Sequence, residues 1–152
     1  MVAIELARAL RDAGLEWDPA PGDRFTIEQP DVVGEVFTLS EMVVEARRYS
    51  TGTVLGFNGT TEWALDSLAL DEALWLPSEE QLRAELGNAF RSLTLEDGIF
   101  WVEARGTVGE ARTAAARDAA DAYAHALLAH LTGASGAPAG DASGQHSRDR
   151  TV

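Results

Sequence analysis

The sequence predicts an α+β domain, a mainly antiparallel sheet of about five to seven strands with N-terminal, central and C-terminal helices. Three observations carry that expectation. Apolar residues keep helical spacing near both ends of the chain, short β-branched and aromatic runs fill the middle, and Asp97-Gly98 separates two such runs as a two-residue hairpin turn would.

The first helix is read from Val2, Leu6, Ala9, Leu10 and Ala13, with Gly14 and Leu15 supplying a Schellman-type stop. "DPAPGD" at 18–23 is a Pro/Gly turn that leads into Arg24-Phe25-Thr26-Ile27-Glu28, where Phe25 and Ile27 alternate with polar neighbours as in a half-buried strand. "EVFTL" at 35–39, "MVVEARR" at 42–48 and "TVLGF" at 53–57 are three further strand-like runs. In "NGTTEWALDSL" at 58–68, Thr61, Ala64, Leu65 and Leu68 keep helical spacing while Asn58-Gly59 is also a hairpin signal; a helical turn is the reading adopted. "ALWLP" at 73–77 is too short for a helix and ends at a proline, so it reads as extended, with Trp75 as a core anchor. Ser78 then caps a helix, Gln81 closes a capping box, and Glu79 and Glu80 complement the dipole ahead of Leu82, Leu86 and the closing Gly87.

Counting outward from Asp97-Gly98 pairs Leu95 with Phe100 and Leu93 with Val102 on a face expected to be core. The other face pairs Thr94 with Trp101 and Ser92 with Glu103, and is expected to be half-solvated. A turn at Gly106 returns "VGEART" as another strand. From about Ala115 the Ala-rich run becomes a helix whose buried stripe is Ala120, Ala124, Leu127, Leu128 and Leu131, ended by Gly133. Residues 1–132 thus form one globular domain, and 133–152, small and polar without apolar periodicity, read as a disordered tail.

The formal net charge is -13, and the tail balances Asp141 and Asp149 against Arg148 and Arg150, so the excess negative charge sits on the body. Neither nucleic acid nor a membrane is an expected partner, because each needs a basic surface. All basic residues are Arg; the absence of Lys removes Schiff-base chemistry and the phosphate-loop Lys, and the absence of Cys removes thiol nucleophiles, disulfides and thiolate zinc sites. No signal peptide and no membrane-length apolar run is present, so a cytoplasmic location is expected.

The chemistry-bearing residues are few. His125 and His130 stand about 140° apart around a helix and do not share a face. Gly52, Gly56 and Gly59 do not follow dinucleotide-binding spacing. Acids and large aromatics gather in sequence only where Asp66, Asp71 and Glu72 flank Trp63 and Trp75.

The phrases "ELARALRDAGLEWDPAPGDRF", "VLGFNGTTEWALDS" and "DEALWLPSEEQL" resemble a group of small actinobacterial proteins labelled pilus assembly protein CpaE. The resemblance covers roughly residues 1–95 and is strongest at Val54 to Leu82. It implies membership of a small family and a pilus-assembly context. The ParA/MinD-like ATPases that share the label need a Gly-rich phosphate loop with Lys, which this sequence lacks, so the resemblance supplies no catalytic residues.

The functional expectation is therefore a non-enzymatic, acidic interaction or accessory domain without cofactor, catalytic set or metal ligands. Trp63, Asp66 and Trp101 are the candidate contact patch, and an Arg-rich protein partner would suit the charge. One rival is a small enzyme or small-ligand binder using a carboxylate of the Asp66–Glu72 stretch within an aromatic pocket. Another is a nucleic-acid mimic, resting on charge alone.

Overall fold

In a computed structural model of the chain, the described residues are 1–28, 34–40, 44–50, 52–57, 67–106 and 109–133. Among them the order is α1 (Ile4–Asp12), β1 (Arg24–Ile27), β2 (Val36–Thr38), β3 (Val44–Tyr49), β4 (Gly52–Phe57), β5 (Ser67–Ala69), a 3-10 turn (Leu70–Glu72), β6 (Ala73–Trp75), α2 (Glu79–Leu86), β7 (Phe90–Glu96), β8 (Ile99–Arg105), β9 (Ala111–Ala116) and α3 (Ala119–Thr132). The class is α+β, every strand pairing among the described residues is antiparallel, and a helix stands near each end of the described chain and one between, α3 with a later start than expected.

The strands do not form the single sheet of five to seven that the sequence suggested. They make three three-stranded sheets, ordered β2-β1-β6, β3-β4-β5 and β7-β8-β9. The separation arises at Leu70–Glu72: β5 pairs with β4, β6 pairs with β1, and the chain changes sheet within one 3-10 turn. Glu72 tightens that turn by accepting from the Ala69 N–H at 3.2 Å. Ser67-Leu68-Ala69 is strand, against the expected helical turn; residues 58–66 of that reading lie outside the described residues, as does the tail from residue 134.

Helix α1 ends as its sequence demands. Gly14 takes φ +97°, a conformation costly for a side-chain-bearing residue, and the Leu15 N–H reaches the Leu10 carbonyl at 3.0 Å while that of Gly14 reaches Arg11 at 2.9 Å. At α2 the Ser78–Gln81 capping box is present, with the Gln81 N–H donating to Ser78 Oγ at 3.3 Å and the Ser78 N–H to Gln81 Oε1 at 2.9 Å. Ser78→Ala is expected to lower stability by about 1 kcal/mol, read as a reduced urea midpoint at unchanged slope.

Helix α3 starts later than expected. Ala115 and Ala116 belong to β9, and Asp118 caps the helix by accepting from the Ala120 N–H at 2.9 Å. Alanine is a poor strand former, but here its small side chain lets the sheet approach the helix, so packing overrides propensity. Arg112 of β9 returns the support by donating to the carbonyls of Ala129, at 3.0 Å, and Gly133, at 3.2 Å, at the C-terminus of α3.

The main core lies between the three helices and one face of β7-β8-β9. Leu10, Leu74, Leu76, Leu82, Val102 and Leu127 are buried there, and Phe90 meets Tyr123 with ring centroids 5.6 Å apart. The hairpin register follows the count from Asp97-Gly98, pairing Leu93 with Val102, Leu95 with Phe100 and Thr94 with Trp101. Its burial does not: Leu93 and Leu95 are 36% and 59% exposed. Helix α3 packs mainly on β8 and β9, and its ring contact with β7 is at the strand's first residue, Phe90, against Tyr123. Leu131, placed in the buried stripe by periodicity, is likewise exposed in the last turn of α3.

Candidate functional site

Strand β6 separates two clusters of apolar side chains, because successive residues of a strand point to opposite faces. Leu74 and Leu76 enter the main core; Ala73 joins Phe25, Ile27 and Leu39 in a second cluster, flanked by Trp17, Phe37 and Leu70. Cross-strand pairing sets Phe25 opposite Trp75 and Phe37. A row of rings results: Phe37 to Phe25 at 5.6 Å between centroids, Phe25 to Trp17 at 5.7 Å, and Trp17 to Trp75 at 6.3 Å, the two indoles only 4° from parallel.

Trp17 is held in that stack by a buried carboxylate. Asp23, 4% exposed, accepts from Trp17 Nε1 at 2.8 Å, from the Ala20 N–H at 2.9 Å and from Gln81 Nε2 at 2.5 Å. One side chain thereby ties the "DPAPGD" loop to the aromatic row and to the capping box of α2. Trp75 is different: it is half-buried, and its Nε1 is buried with no hydrogen-bond partner among the described residues. The sequence reading of Trp75 as a core anchor is thus corrected to a wall residue, with Leu74 and Leu76 beside it filling the core.

Trp17 and Trp75 border a cavity of about 720 Å³ between α1, the loop that follows it and the β5–β6 turn. Arg11, Glu16, Leu70 and Asp71 stand on its rim. Arg11 is already committed: Glu28 accepts from its Nη1 at 2.5 Å and from Arg8 Nε at 2.6 Å, and Asp12 takes the Arg11 Nε at 3.4 Å. Glu16 and Asp71 have no partner among the described residues, so the unmatched charge at the rim is negative.

The Arg11 and Arg8 hydrogen bonds hold the Glu28 carboxyl below the usual carboxylate range. A depressed folded value means that this contact contributes stability above the ordinary value of 4.5 and loses it as pH falls through the lower folded value. Glu28→Gln is therefore expected to lower stability modestly near neutrality and to leave it little changed in acid, where the contact is already lost, so that the acid limb of a stability-versus-pH curve flattens; partial exposure of both arginines keeps the effect small.

Of the acids in the Asp66–Glu72 stretch, Asp71 reaches the cavity, whereas Glu72 is used in the 3-10 turn. Trp101 is half-buried on β8, paired with Thr94 and Ala115, and does not line the cavity. Trp63 and Asp66 lie outside the described residues. Trp17, Asp23 and Glu16 are site residues that the sequence reading passed over. Among the described residues no group of three or more His, Asp or Glu could hold a metal ion, and no helix is long and apolar enough to cross a membrane. Comparison with protein-family models, curated proteins and solved structures finds no match to this chain.

Proposed function

We propose that the chain is a non-enzymatic binding domain whose cavity takes an organic cation, an amine or guanidine carried on an apolar body. The observation that carries this reading is the parallel Trp17–Trp75 stack at the edge of a cavity whose unmatched charges, Glu16 and Asp71, are both negative. Indole faces attract cations, by about 0.5–2 kcal/mol depending on desolvation. The cavity volume falls within the roughly 300–1,000 Å³ of small-ligand sites. The net charge of -13 favours encounter with a cation over long range.

This reading retains the binding role and the basic partner expected from the sequence, and moves the site from the Trp63–Asp66–Trp101 patch to the cavity. A free amine and an Arg side chain of a protein share the necessary chemistry, and a pilus-assembly setting would supply the second. The test is a tryptophan-fluorescence titration with butylguanidinium, its neutral counterpart butylurea, and an Arg-containing peptide. Butylguanidinium is expected to bind, with affinity reduced about 5- to 10-fold in Asp71→Asn/Glu16→Gln, the loss of two partly screened charge contacts. A peptide that binds more tightly than butylguanidinium identifies the protein source, and one that binds no better identifies the free cation. Equal binding of butylguanidinium and butylurea would overturn the proposal.

A further inference from the structure

Strand β7 lies at one edge of its sheet, with β8 on its inner side and no strand on its outer side among the described residues. Leu93 and Leu95 are 36% and 59% exposed there, and Arg91, Thr94, Glu96 and Asp97 are exposed beside them. An accessible edge with apolar side chains is a template for another strand, and folded chains usually blunt it. Here the blunting is partial: a register shift between Phe90 and Ser92 interrupts the ladder at Arg91, leaving the regular segment 92–96.

The turn determines which backbone groups are free. Asp97 and Gly98 have φ +51° and +76°, so the hairpin closes through the Glu96–Ile99 pair. Alternation from that pair turns the backbone N–H and C=O groups of Thr94 and Ser92 toward β8, and those of Leu95 and Leu93 outward. The free segment is symmetric about Thr94.

We infer that β7 pairs antiparallel with β7 of a second copy of this chain, about a two-fold axis at Thr94, joining two three-stranded sheets into one of six strands. In this register Leu93 stands opposite Leu95 of the second copy and donates and accepts the outward hydrogen bonds, while Thr94 stands opposite itself. Ser92 meets Glu96 at both ends of the pairing. Apolar thus opposes apolar and polar opposes polar. Sliding the pairing by two residues leaves a single Leu–Leu contact, Leu95 against itself in one direction and Leu93 against itself in the other, with the second leucine of each copy beyond the partner's regular segment. All three registers are two-fold symmetric, but the Thr94-centred one alone sets both leucines of each copy against leucines, and this match of the exposed edge to its own sequence selects a second copy as the occupant.

The two copies each carry a formal charge of -13, and their repulsion opposes the pairing. Salt shortens the screening length from about 30 Å at 0.01 M to about 8 Å at 0.15 M, so association strengthens as salt is raised over that range.

The chain has no cysteine, which permits a direct test of the register in the full chain. Thr94 occupies a non-hydrogen-bonded pair with itself, where Cα atoms stand about 4.5 Å apart, within the roughly 4.4–6.8 Å that a disulfide spans. Thr94→Cys is expected to oxidise to a covalent dimer, and Glu96→Cys, displaced from its own copy, is not. Sedimentation of the unmodified chain is expected to show a dimer that grows with concentration and salt. Leu95→Asp is expected to abolish the dimer while keeping the melting temperature that the unmodified chain shows when dilute and monomeric, since that side chain is exposed in the single copy. A chain that stays monomeric to millimolar concentration at physiological salt, or cross-linking of Glu96→Cys as readily as Thr94→Cys, would overturn the inference.

Discussion

Asp23→Ala is expected to destabilise the fold by about 3 kcal/mol, a large share of the 5–15 kcal/mol that separates a folded domain from its unfolded chain. Trp17 Nε1, the Ala20 N–H and Gln81 Nε2 all donate to the carboxylate, and Asp23 is 4% exposed, so water does not replace it without rearrangement. A buried donor deprived of its acceptor costs about 1–3 kcal/mol, and three donors sharing one acceptor lose less than three independent sums. Asp23→Asn separates the contributions. The amide oxygen still accepts from Trp17 and Ala20, but the NH₂ faces the Gln81 NH₂, and Gln81 Oε1 is already engaged by the Ser78 N–H. A loss of about 1–2 kcal/mol is expected for that variant. Urea unfolding of both variants checks the order, and equal, small losses would show that Asp23 is not the tie between the loop and α2.

Phe25→Ala is expected to be costlier still, at about 4 kcal/mol. Phe25 is 0% exposed and touches Trp17 on one side and Phe37 on the other. Removing the middle ring of a row leaves a void that neighbours on β1 and β6 cannot fill without breaking ladder hydrogen bonds. It also removes the support beneath Trp17, so near-ultraviolet ellipticity from the stacked indoles should fall at temperatures where the far-ultraviolet signal persists. Phe25→Leu keeps most of the volume and is expected to cost about 1–1.5 kcal/mol. A Phe25→Ala loss no greater than that of Phe25→Leu would mean that the second cluster collapses freely and does not hold the cavity wall rigid.

Local chemistry made much of this fold legible. The Gly14-Leu15 stop, the Ser78–Gln81 capping box and the Asp97-Gly98 register are all decided by neighbours a few residues apart, and the structure has each of them. What local patterns could not decide was which face a distant element covers. Leu93 and Leu95 carry the correct alternation, yet α3 packs mainly on β8 and β9, so an apolar face became an exposed edge. The sheet count failed for the same reason, since nothing within Leu70–Glu72 states that β5 and β6 belong to different sheets.

The site was half legible. Asp71 beside an aromatic segment was visible in the sequence, and the structure sets it at the cavity rim. Trp17 was not, because its partner Trp75 is brought to it by β1–β6 pairing and its orientation comes from Asp23, a residue that reads as an ordinary turn former. The available clue was the two prolines between Trp17 and Asp23, which stiffen a loop able to fold its carboxylate back on its own indole.

The cavity reading meets its most direct test in the indole N–H resonances of the ¹⁵N-labelled full chain during titration with butylguanidinium. The Trp17 and Trp75 signals, assigned through Trp→Phe variants, are expected to move together along one saturable curve while Trp101 stays in place. Movement of Trp101 with Trp17 and Trp75 unchanged would return the binding site to the outer face of β8, and no movement at all would contradict cation binding by this domain.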